Sequence, residues 1–372
     1  MKNHDKTLVI LTPAFPENES GTYLVFSQQL MVKALQENFP QLNIIVLPFL
    51  FPHHASTYVW QQVRVISFGG MYKHKFRRIT LWWRIWKTLK KIRRQHEIIG
   101  LFSFWCSECA FIGKYFGKNY SIPHYSWICG QDARKKNKWV RFIRPKGNEL
   151  IAMSPFLTNE FHKNHRVKPT HIIPNAIDTK SFLPIQLTER DIDILGAGSL
   201  IPLKQYDLFT RIVASLQQTF PAIKTFHCGA GQEQEKIEVL IRKLRLENNF
   251  RLMGSIAHEE LIKFMQRTKV FLHTSSYEGF STVCLEALYA GAHVISFCYP
   301  LDHLVPHWHV VNSIEEMTAK AIEILQNPDT EHTPVLLYSM DDSAKAVMKL
   351  FENELMVSGE KTEYREINSG IN

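Results

Sequence analysis

The amino-acid sequence predicts an α/β protein made of two Rossmann-like, doubly wound domains. Apolar runs of strand length alternate with amphipathic segments of helix length, which is typical of a parallel sheet covered by helices on both faces. The same alternation begins again in the second half of the chain. A length of 372 residues is too great for one ordinary core and suits two domains of about 150 to 200 residues each.

Strand-like and helix-length segments follow one another in both halves. The first half contains, in order, TLVILTP, YLVFSQQLMVKALQ, LNIIVLPFL, EIIGLFSFW, AFIGKYFGKNY, HYSWICG and ELIAMS. The second half contains DIDILGAG, QYDLFTRIVASLQQTF, IKTFHCGAG, EKIEVLIRKLRL, FRLMGS, EELIKFMQR, KVFLHTS and SIEEMTAKAIEILQ. This order indicates repeated strand–helix units in each half.

The polar, proline-containing stretch DTKSFLPIQLTERD separates the two halves. We therefore predict a first domain over residues 1–182 and a second over 183–335. A helix over 336–355 is expected to return to the first domain, and a polar tail over 356–372 to be flexible. Two such domains are expected to face a central cleft, because open α/β sheets bind ligands beyond the carboxyl ends of their strands.

Charge is shared unequally between the halves. Residues 1–185 carry 27 Lys and Arg against 10 Asp and Glu, a net +17, whereas the remainder carries 17 against 25, a net −8. Opposite charges suggest two domains with different partners. No apolar run approaches the ~18 residues of a membrane span, and the first residues resemble a strand more than a signal peptide. A cytoplasmic protein is expected.

Six cysteines are present, and Cys106 and Cys109 form a C-x-x-C pair. A zinc site requires a second such pair or a well-spaced set of histidines. Several of the cysteines lie in apolar, strand-like surroundings, where a reduced thiol packs as a small hydrophobic group. We therefore expect buried thiols rather than a metal or redox site.

Two glutamates, Glu278 and Glu286, lie eight positions apart in YEGFSTVCLEALYAGAHVIS, between two strand-like runs. A helix N-terminus after a strand presents backbone N–H groups that suit a phosphate, and Gly279 permits close approach of the backbone. A carboxylate is an acceptor that suits sugar hydroxyls. The spacing alone is equally compatible with two solvated acids.

The segment from Glu278 to Glu286 resembles the E-x7-E motif of the family 4 glycosyltransferases, which are retaining enzymes of GT-B fold. The resemblance extends over most of the chain, because other motifs of the family occur in the same order. They are IIPNAID from Ile172 to Asp178, GSLIPLK from Gly198 to Lys204, GAG from Gly229 to Gly231, and GSIAHEEL from Gly254 to Leu261. The resemblance implies a GT-B fold and sugar transfer from a nucleotide-sugar.

The resemblance also implies roles for individual residues. Lys204 is similar to the lysine that binds the donor diphosphate, Glu286 to the residue that holds the ribose, and Glu278 to the residue that contacts the donor sugar. With Asp132, Glu278 and Lys204 form the predicted catalytic set. The other predicted donor-binding residues are Ser199, Gly198, Gly229, Gly231, Gly254, Gly279, Phe280, Ser281, Thr282 and Asn175.

The sequence departs from the family pattern at two positions. Ser199 stands where the family has an arginine, so one cation of the diphosphate site is missing. Cys129 stands where a histidine is common, before Gly130 and Asp132. Asp132 either meets the sugar or acceptor or caps the segment that follows it.

Neither a metal nor another cofactor is expected. No D-x-D pattern stands at a strand end, since Asp191 and Asp193 lie at the start of a strand. Lys204 and the helix terminus would neutralise the diphosphate instead. The resemblance implies that the leaving diphosphate assists deprotonation of the acceptor. It also implies a retaining, metal-independent hexosyltransferase.

Residues 71–96 carry ten Lys and Arg and no acid, together with Trp82, Trp83 and Trp86. A basic amphipathic helix with aromatic residues is typical of an interfacial membrane helix, and a second basic run over 133–146 supports the same face. The alternative is a domain helix whose apolar stripe meets the sheet. Because the first domain of GT-B enzymes binds the acceptor, we expect a glycan or lipid-linked acceptor at the inner membrane face, in polysaccharide biosynthesis.

Two other interpretations stay open at this point. A nucleotide-sugar epimerase or hydrolase of the same fold would need no acceptor. A non-catalytic nucleotide-sugar-binding protein would be consistent with the missing arginine and histidine. Nucleic acid is not expected as a partner, because the basic face is accompanied by no nucleic-acid motif.

Overall fold

The computed structural model describes residues 6–19, 25–70, 75–182 and 189–352, without the side chains of residues 75–77. The chain divides into two compact units, of which the first combines Met1–Asn175 with Met340–Asn372 and the second is Ala176–Ser339. The domain boundary predicted from the sequence lies between residues 182 and 183. Residues 183–188, which follow it, and the predicted tail over 356–372 lie outside the described part of the chain.

The first unit contains one sheet and its covering helices. The strands are β1 (Lys6–Ala14), β2 (Asn43–Phe51), β3 (Ala55–Trp60), β4 (Val63–Phe68), β5 (Glu97–Phe104), β6 (His124–Ile128), β7 (Leu150–Ala152) and β8 (His171–Ile172). The helices are α1 (Phe26–Asn38), α2 (Lys75–Gln95), α3 (Glu108–Tyr120), α4 (Trp139–Ile143) and α5 (Pro155–His165). Among the described residues these eight strands form one sheet in the order β3-β4-β2-β1-β5-β6-β7-β8.

Neighbouring strands of this sheet run parallel except for β3 and β4, which pair antiparallel. The two residues that connect them, Gln61 and Gln62, have positive φ angles of 43° and 68°. Left-handed conformations at both positions match the twist of a hairpin, and so short a connection can join only antiparallel strands. The sheet is therefore parallel, as expected, apart from this antiparallel hairpin at one edge.

Helix α2 packs its apolar stripe into the core of the first unit. Leu81, Ile85, Leu89 and Ile92 are each no more than 4% exposed and belong to one buried apolar cluster with residues of β1, β2, β4, β5 and α3. Burial of each such side chain contributes about 1.5–3 kcal/mol. The stripe that could have met a membrane is therefore used for packing. Among the described residues, no helix is long and apolar enough to cross a membrane.

The second unit contains a second sheet. Its strands are β9 (Ile192–Ala197), β10 (Thr225–Cys228), β11 (Phe250–Leu252), β12 (Thr268–His273), β13 (His293–Ser296) and β14 (Trp308–Val310). Its helices are α6 (Tyr206–Thr219), α7 (Gln234–Lys243), α8 (His258–Gln266), α9 (Thr282–Tyr289) and α10 (Ile314–Gln326).

The second sheet is parallel and has the order β11-β10-β9-β12-β13-β14 in the described residues. Counted within the unit, this is the 3-2-1-4-5-6 order of dinucleotide-binding sheets. The direction of winding reverses between β9 and β12, which pair directly. A crevice for a ligand is expected beyond the carboxyl ends of these two strands.

A last helix, α11, spans residues 340–352 and belongs to the first unit. Phe351 is fully buried there, and its ring lies 5.0 Å from that of Tyr125 in an edge-to-face contact. A Cβ atom at Gly100 would overlap the Phe351 ring. Strand β5 therefore leaves room for α11 by having glycine at this position.

Candidate active site

The turns that follow β9 and β12 are hydrogen-bonded to one another. Thr274 donates its hydroxyl to the Lys204 carbonyl over 2.8 Å, and the Ser276 backbone N–H donates to the Leu203 carbonyl over 3.0 Å. Both bonds join elements at the point where the winding of the sheet reverses. They fix the backbone next to two of the predicted catalytic residues, Lys204 and Glu278.

Lys204 and Glu278 form an ion pair across this point. Lys204 Nζ lies 2.9 Å from Glu278 Oε2, although the residues are 74 positions apart in the sequence. Their side chains are only 16% and 20% exposed. The structure thus brings together the two residues that the sequence analysis assigned to the diphosphate and to the donor sugar.

His273, the last residue of β12, lies beneath this pair. Its Nε2 is 3.8 Å from Glu278 Oε2, 3.1 Å from Ser275 Oγ and 3.3 Å from Ser281 Oγ. Burial, and to a lesser degree the charge of Lys204, lowers the pKa of His273 to about 3. The imidazole is therefore neutral near pH 7 and leaves Lys204 as the counter-ion of Glu278. Sequence analysis missed this residue, although it lies in the quoted strand KVFLHTS.

Glu286 lies on α9 and is 2% exposed. Its Oε1 accepts a hydrogen bond of 2.7 Å from Nε2 of His258, the first residue of α8. A buried carboxylate requires such a partner, because an unpaired buried charge is strongly destabilising. Sequence analysis missed His258 too, although it belongs to the motif GSIAHEEL.

The predicted pocket glycines form a wall of backbone. Gly198 and Gly229 have φ angles of 138° and 142°, where only glycine is comfortable. A Cβ atom at Gly229 would overlap the Gly198 carbonyl, and one at Gly231 would overlap the Leu200 carbonyl. The Gly229 N–H donates to the Gly254 carbonyl over 2.7 Å. The turns that follow β9 and β10 therefore pack backbone against backbone at these glycines.

The turn before α9 holds the remaining predicted donor residues of the second unit. Gly279, Phe280 and Ser281 are buried, and Thr282 opens the helix. The Phe280 ring lies 5.9 Å from the ring of Tyr338. Ser199, after β9, is exposed and supplies no charge where the family has its arginine.

Asn175 and Asp132 belong to the first unit. The Asn175 amide donates to Ser27 Oγ over 2.9 Å. Asp132 is 4% exposed and accepts a 2.9 Å hydrogen bond from the Cys129 backbone N–H, so that it caps the short turn Gly130–Ala133. Burial raises the pKa of Asp132 to about 7, and backbone hydrogen bonds from Cys129 and Cys106 oppose the rise. Its carboxyl group therefore changes protonation near neutral pH.

The cysteines and the paired aspartates have structural surroundings. All six thiols are free, and burial raises the pKa of Cys106 and Cys109 well above the usual thiol range. Asp191 pairs with Arg267 over 2.8 Å and Asp193 with Lys269 over 2.8 Å. Within the described residues, no three His, Cys, Asp or Glu side chains are grouped so that they could hold a metal ion.

Two comparisons with known sequences bear on this site. Residues 179–335 match the family described as "Glycosyl transferases group 1". The gpi3 subunit of the phosphatidylinositol N-acetylglucosaminyltransferase of Schizosaccharomyces pombe is 25% identical over 214 residues, which cover 55% of this chain and 47% of that subunit. The GPI3 subunit of Saccharomyces cerevisiae strain YJM789 is 27% identical over 240 residues, covering 58% and 53%. The chain thus spans about half the length of these curated relatives.

A solved structure extends the similarity to nearly the whole chain. Anabaena Alr3699/HepE in complex with UDP-glucose has a TM-score of 0.66 at 14% identity and covers 95% of this chain and 99% of its own. This likeness concerns the fold, and it confirms the predicted α/β architecture of two Rossmann-like domains. Together with the matched family, it confirms the resemblance inferred from the motifs: the chain has the GT-B fold and carries a group 1 glycosyl transferase domain over residues 179–335.

Proposed function

We propose that the protein transfers a sugar from a nucleotide-sugar to a glycan or glycolipid acceptor, with retention of the anomeric configuration. The bond between the anomeric carbon and the diphosphate oxygen breaks, and a bond to the acceptor oxygen forms on the same face of the sugar. The acceptor proton passes to the leaving diphosphate. No side-chain nucleophile and no metal is needed in this reaction.

The Lys204–Glu278 pair beside the glycine wall carries this proposal. Lys204 supplies a cation for the diphosphate, and the N-terminus of α9, after Ser281, supplies aligned N–H groups. Glu278 supplies an acceptor for sugar hydroxyls and a negative charge beside the developing positive charge of the sugar. Glu286 would hold the ribose, as an acid does in dinucleotide-binding sheets.

The names of the similar proteins favour particular substrates. The matched yeast subunits belong to a phosphatidylinositol N-acetylglucosaminyltransferase, and the solved HepE structure contains UDP-glucose. We therefore propose a UDP-sugar as donor and a lipid-linked molecule as acceptor, in polysaccharide biosynthesis. Uridine diphosphate would then be the product that binds at the glycine wall.

Nucleotide binding and transfer test the proposal together. A hundredfold excess of the correct nucleoside diphosphate over its dissociation constant is expected to stabilise the protein by about 2.7 kcal/mol, as measured by thermal shift against UDP, ADP, GDP and CDP. Glu286→Ala is expected to reduce this shift and to abolish the transfer of radiolabelled sugar to extracted lipids. Glu259→Ala is the matched control, because Glu259 is an exposed acid on α8.

The outcomes separate the competing functions. Transfer that persists in EDTA and gives a product of retained configuration by NMR supports the proposal. Altered sugar-nucleotide or free sugar formed without acceptor supports an epimerase or hydrolase instead. Nucleotide binding without any transfer supports a binding protein, and unchanged turnover by Glu286→Ala would contradict the assigned site.

We further propose that the first unit contacts an anionic membrane at the cytoplasmic face through α2 and α4. Ile79 and Trp83 on α2 are 62% and 58% exposed, and Phe142 on α4 is 60% exposed. Helix α4 lies beside α2, since the rings of Trp139 and Trp82 are 6.0 Å apart. Residues 71–74 of the predicted surface lie outside the described residues.

Basic side chains accompany these exposed apolar groups. Lys87 Nζ lies 3.4 Å from the centre of the Trp83 ring. Among the described side chains of α2, five further basic residues are exposed, namely Arg78, Lys90, Lys91, Arg93 and Arg94. Each basic residue near an anionic leaflet contributes about 1 kcal/mol to the free energy of membrane binding. An exposed tryptophan favours the membrane–water interface.

Binding to vesicles of phosphatidylcholine with and without phosphatidylglycerol tests this contact. We expect binding only with the anionic lipid, and a loss of affinity of about tenfold for Ile79→Ser/Trp83→Ser, because two apolar groups no longer enter the interface. Val239→Ser is the matched control, since Val239 is 50% exposed on α7 of the second unit. Equal binding by all variants would rule the contact out.

A further inference from the structure

We propose that His258 is a positioning residue that sets the preference of the site for ribonucleotides over 2′-deoxyribonucleotides. Its hydrogen bond to Oε1 of Glu286 fixes the carboxylate so that Oε2 is directed at the ribose hydroxyls. This inference rests on the proposed function, in which Glu286 holds the donor ribose. It assigns to His258 a role that the E-x7-E spacing does not reveal.

The geometry of the pair supports a positioning role. His258 Nε2 and Glu286 Oε1 are 2.7 Å apart, and the two side chains are only 18% and 3% exposed. Both residues stand on helices, and α8 packs against α9. A side chain held between two packed helices is oriented more strictly than one on a loop. The Glu286 carboxylate thus has one orientation fixed from the protein side.

The chemistry of the groups assigns their roles. An ionised carboxylate only accepts hydrogen bonds, so the imidazole Nε2–H of His258 donates to Oε1. This leaves Oε2 with its lone pairs for the ribose hydroxyls. Without His258, a carboxylate that is 2% exposed would lose its donor and would no longer be held in one orientation. The acceptor that distinguishes a ribose 2′-hydroxyl from hydrogen would then be misplaced.

Affinities for paired nucleotides test the inference. Each of UDP, ADP, GDP and CDP is titrated against its 2′-deoxy counterpart, and the tightest pair for the wild type is used. We expect the wild type to prefer the ribonucleotide by about tenfold or more, since a hydrogen bond to a charged acceptor is lost with the 2′-hydroxyl. His258→Ala is expected to reduce this ratio to near one.

Two further variants separate positioning from a purely structural role. His258→Gln, whose amide can donate to Glu286, is expected to keep most of the preference, whereas the shorter His258→Asn is expected to lose it. The double variant His258→Ala/Glu286→Ala is expected to behave like Glu286→Ala alone, because the two residues act as one unit. Unfolding in urea checks that each variant is folded, and His258→Asn replaces His258→Ala if the latter does not fold.

The outcomes distinguish this inference from the proposed function. If Glu286→Ala keeps the ribose preference, or if no nucleoside diphosphate binds, the role of Glu286 is wrong and both proposals fail. If Glu286→Ala loses the preference and His258→Ala and His258→Asn keep it, only the role of His258 is overturned. A preference lost equally in the Gln and Asn variants would also contradict it.

Discussion

Replacement of Lys204 by methionine is expected to lower the rate of sugar transfer by about 10²- to 10³-fold. This is the loss observed when one preorganised donor to a developing charge is removed. Lys204 is the cation that the structure places against Glu278, 2.9 Å away, and Ser199 contributes no second charge. In the proposed reaction, the variant would leave the departing diphosphate without a side-chain counter-ion. The measurement is transfer of sugar at saturating donor, compared with Lys236→Met, which removes an exposed lysine from an ion pair in the same unit.

Because of the same ion pair, we expect Glu278→Gln to raise the affinity for a nucleoside diphosphate, the product of the proposed reaction. The ammonium group of Lys204 is already paired with Glu278, so in the proposed reaction a diphosphate would have to compete with this carboxylate. Glu278→Gln removes the competitor, so a nucleoside diphosphate should bind several-fold more tightly while sugar transfer falls. Weaker binding by this variant, or full turnover by Lys204→Met, would show that the pair does not have this role.

Acidification from pH 7 to pH 5 is expected to destabilise the protein by several kcal/mol. Burial lowers the pKa values of His124, His227 and His273 to about 3. The unfolded chain protonates these groups below about 6.5, whereas the folded chain does not until about pH 3. A depressed histidine pKa means that unfolding takes up protons, so stability falls as the pH falls through this window. At pH 5 each of these three histidines lowers the free energy of unfolding by roughly 2 kcal/mol compared with pH 7.

Asp132 changes stability in the opposite direction. Because burial raises its pKa to about 7, the folded state takes up a proton between pH 7 and about 4 that the unfolded state does not. Acid therefore stabilises the first unit through Asp132 and offsets His124. The second unit, with His227 and His273, is expected to be the more acid-sensitive of the two.

Urea unfolding at pH 7 and pH 5 measures this pH dependence. His227 is fully buried in the second unit, so His227→Met replaces a buried titrating group by an apolar side chain. That variant should lose less stability on acidification than the wild type, by roughly 2 kcal/mol. A wild-type midpoint that is the same at both pH values would contradict the expectation.

The features of the fold that depend on local sequence patterns could be predicted, whereas those that depend on contacts between distant residues could not. Continuous apolar runs identified the parallel strands, and the glycines of GAG and GSL marked backbone that must approach backbone. The hairpin of β3 and β4 was missed because Gln61 and Gln62 are not the residues that usually mark such a turn. The apolar stripe of α2 has the same periodicity whether it faces a sheet or a membrane.

The candidate site, too, could be predicted from the sequence only in part. Lys204, Glu278 and Glu286 could be named from their motifs, but not the pairing of Lys204 with Glu278, which joins turns 74 positions apart. His258 and His273 carried no spacing signal of their own. Their importance follows from which carboxylate each one contacts, and that depends on how β12, α8 and α9 pack.

The return of α11 to the first unit has a consequence for synthesis on the ribosome. The first unit emerges early, but the cavity that Phe351 fills against Gly100 and Tyr125 stays open until residues 340–352 appear. At about 5–20 residues per second, translation of the intervening second unit takes roughly ten to thirty seconds. Throughout that interval the nascent first unit exposes an incomplete core. Its unfilled core is then available to chaperones while the second unit is still being made.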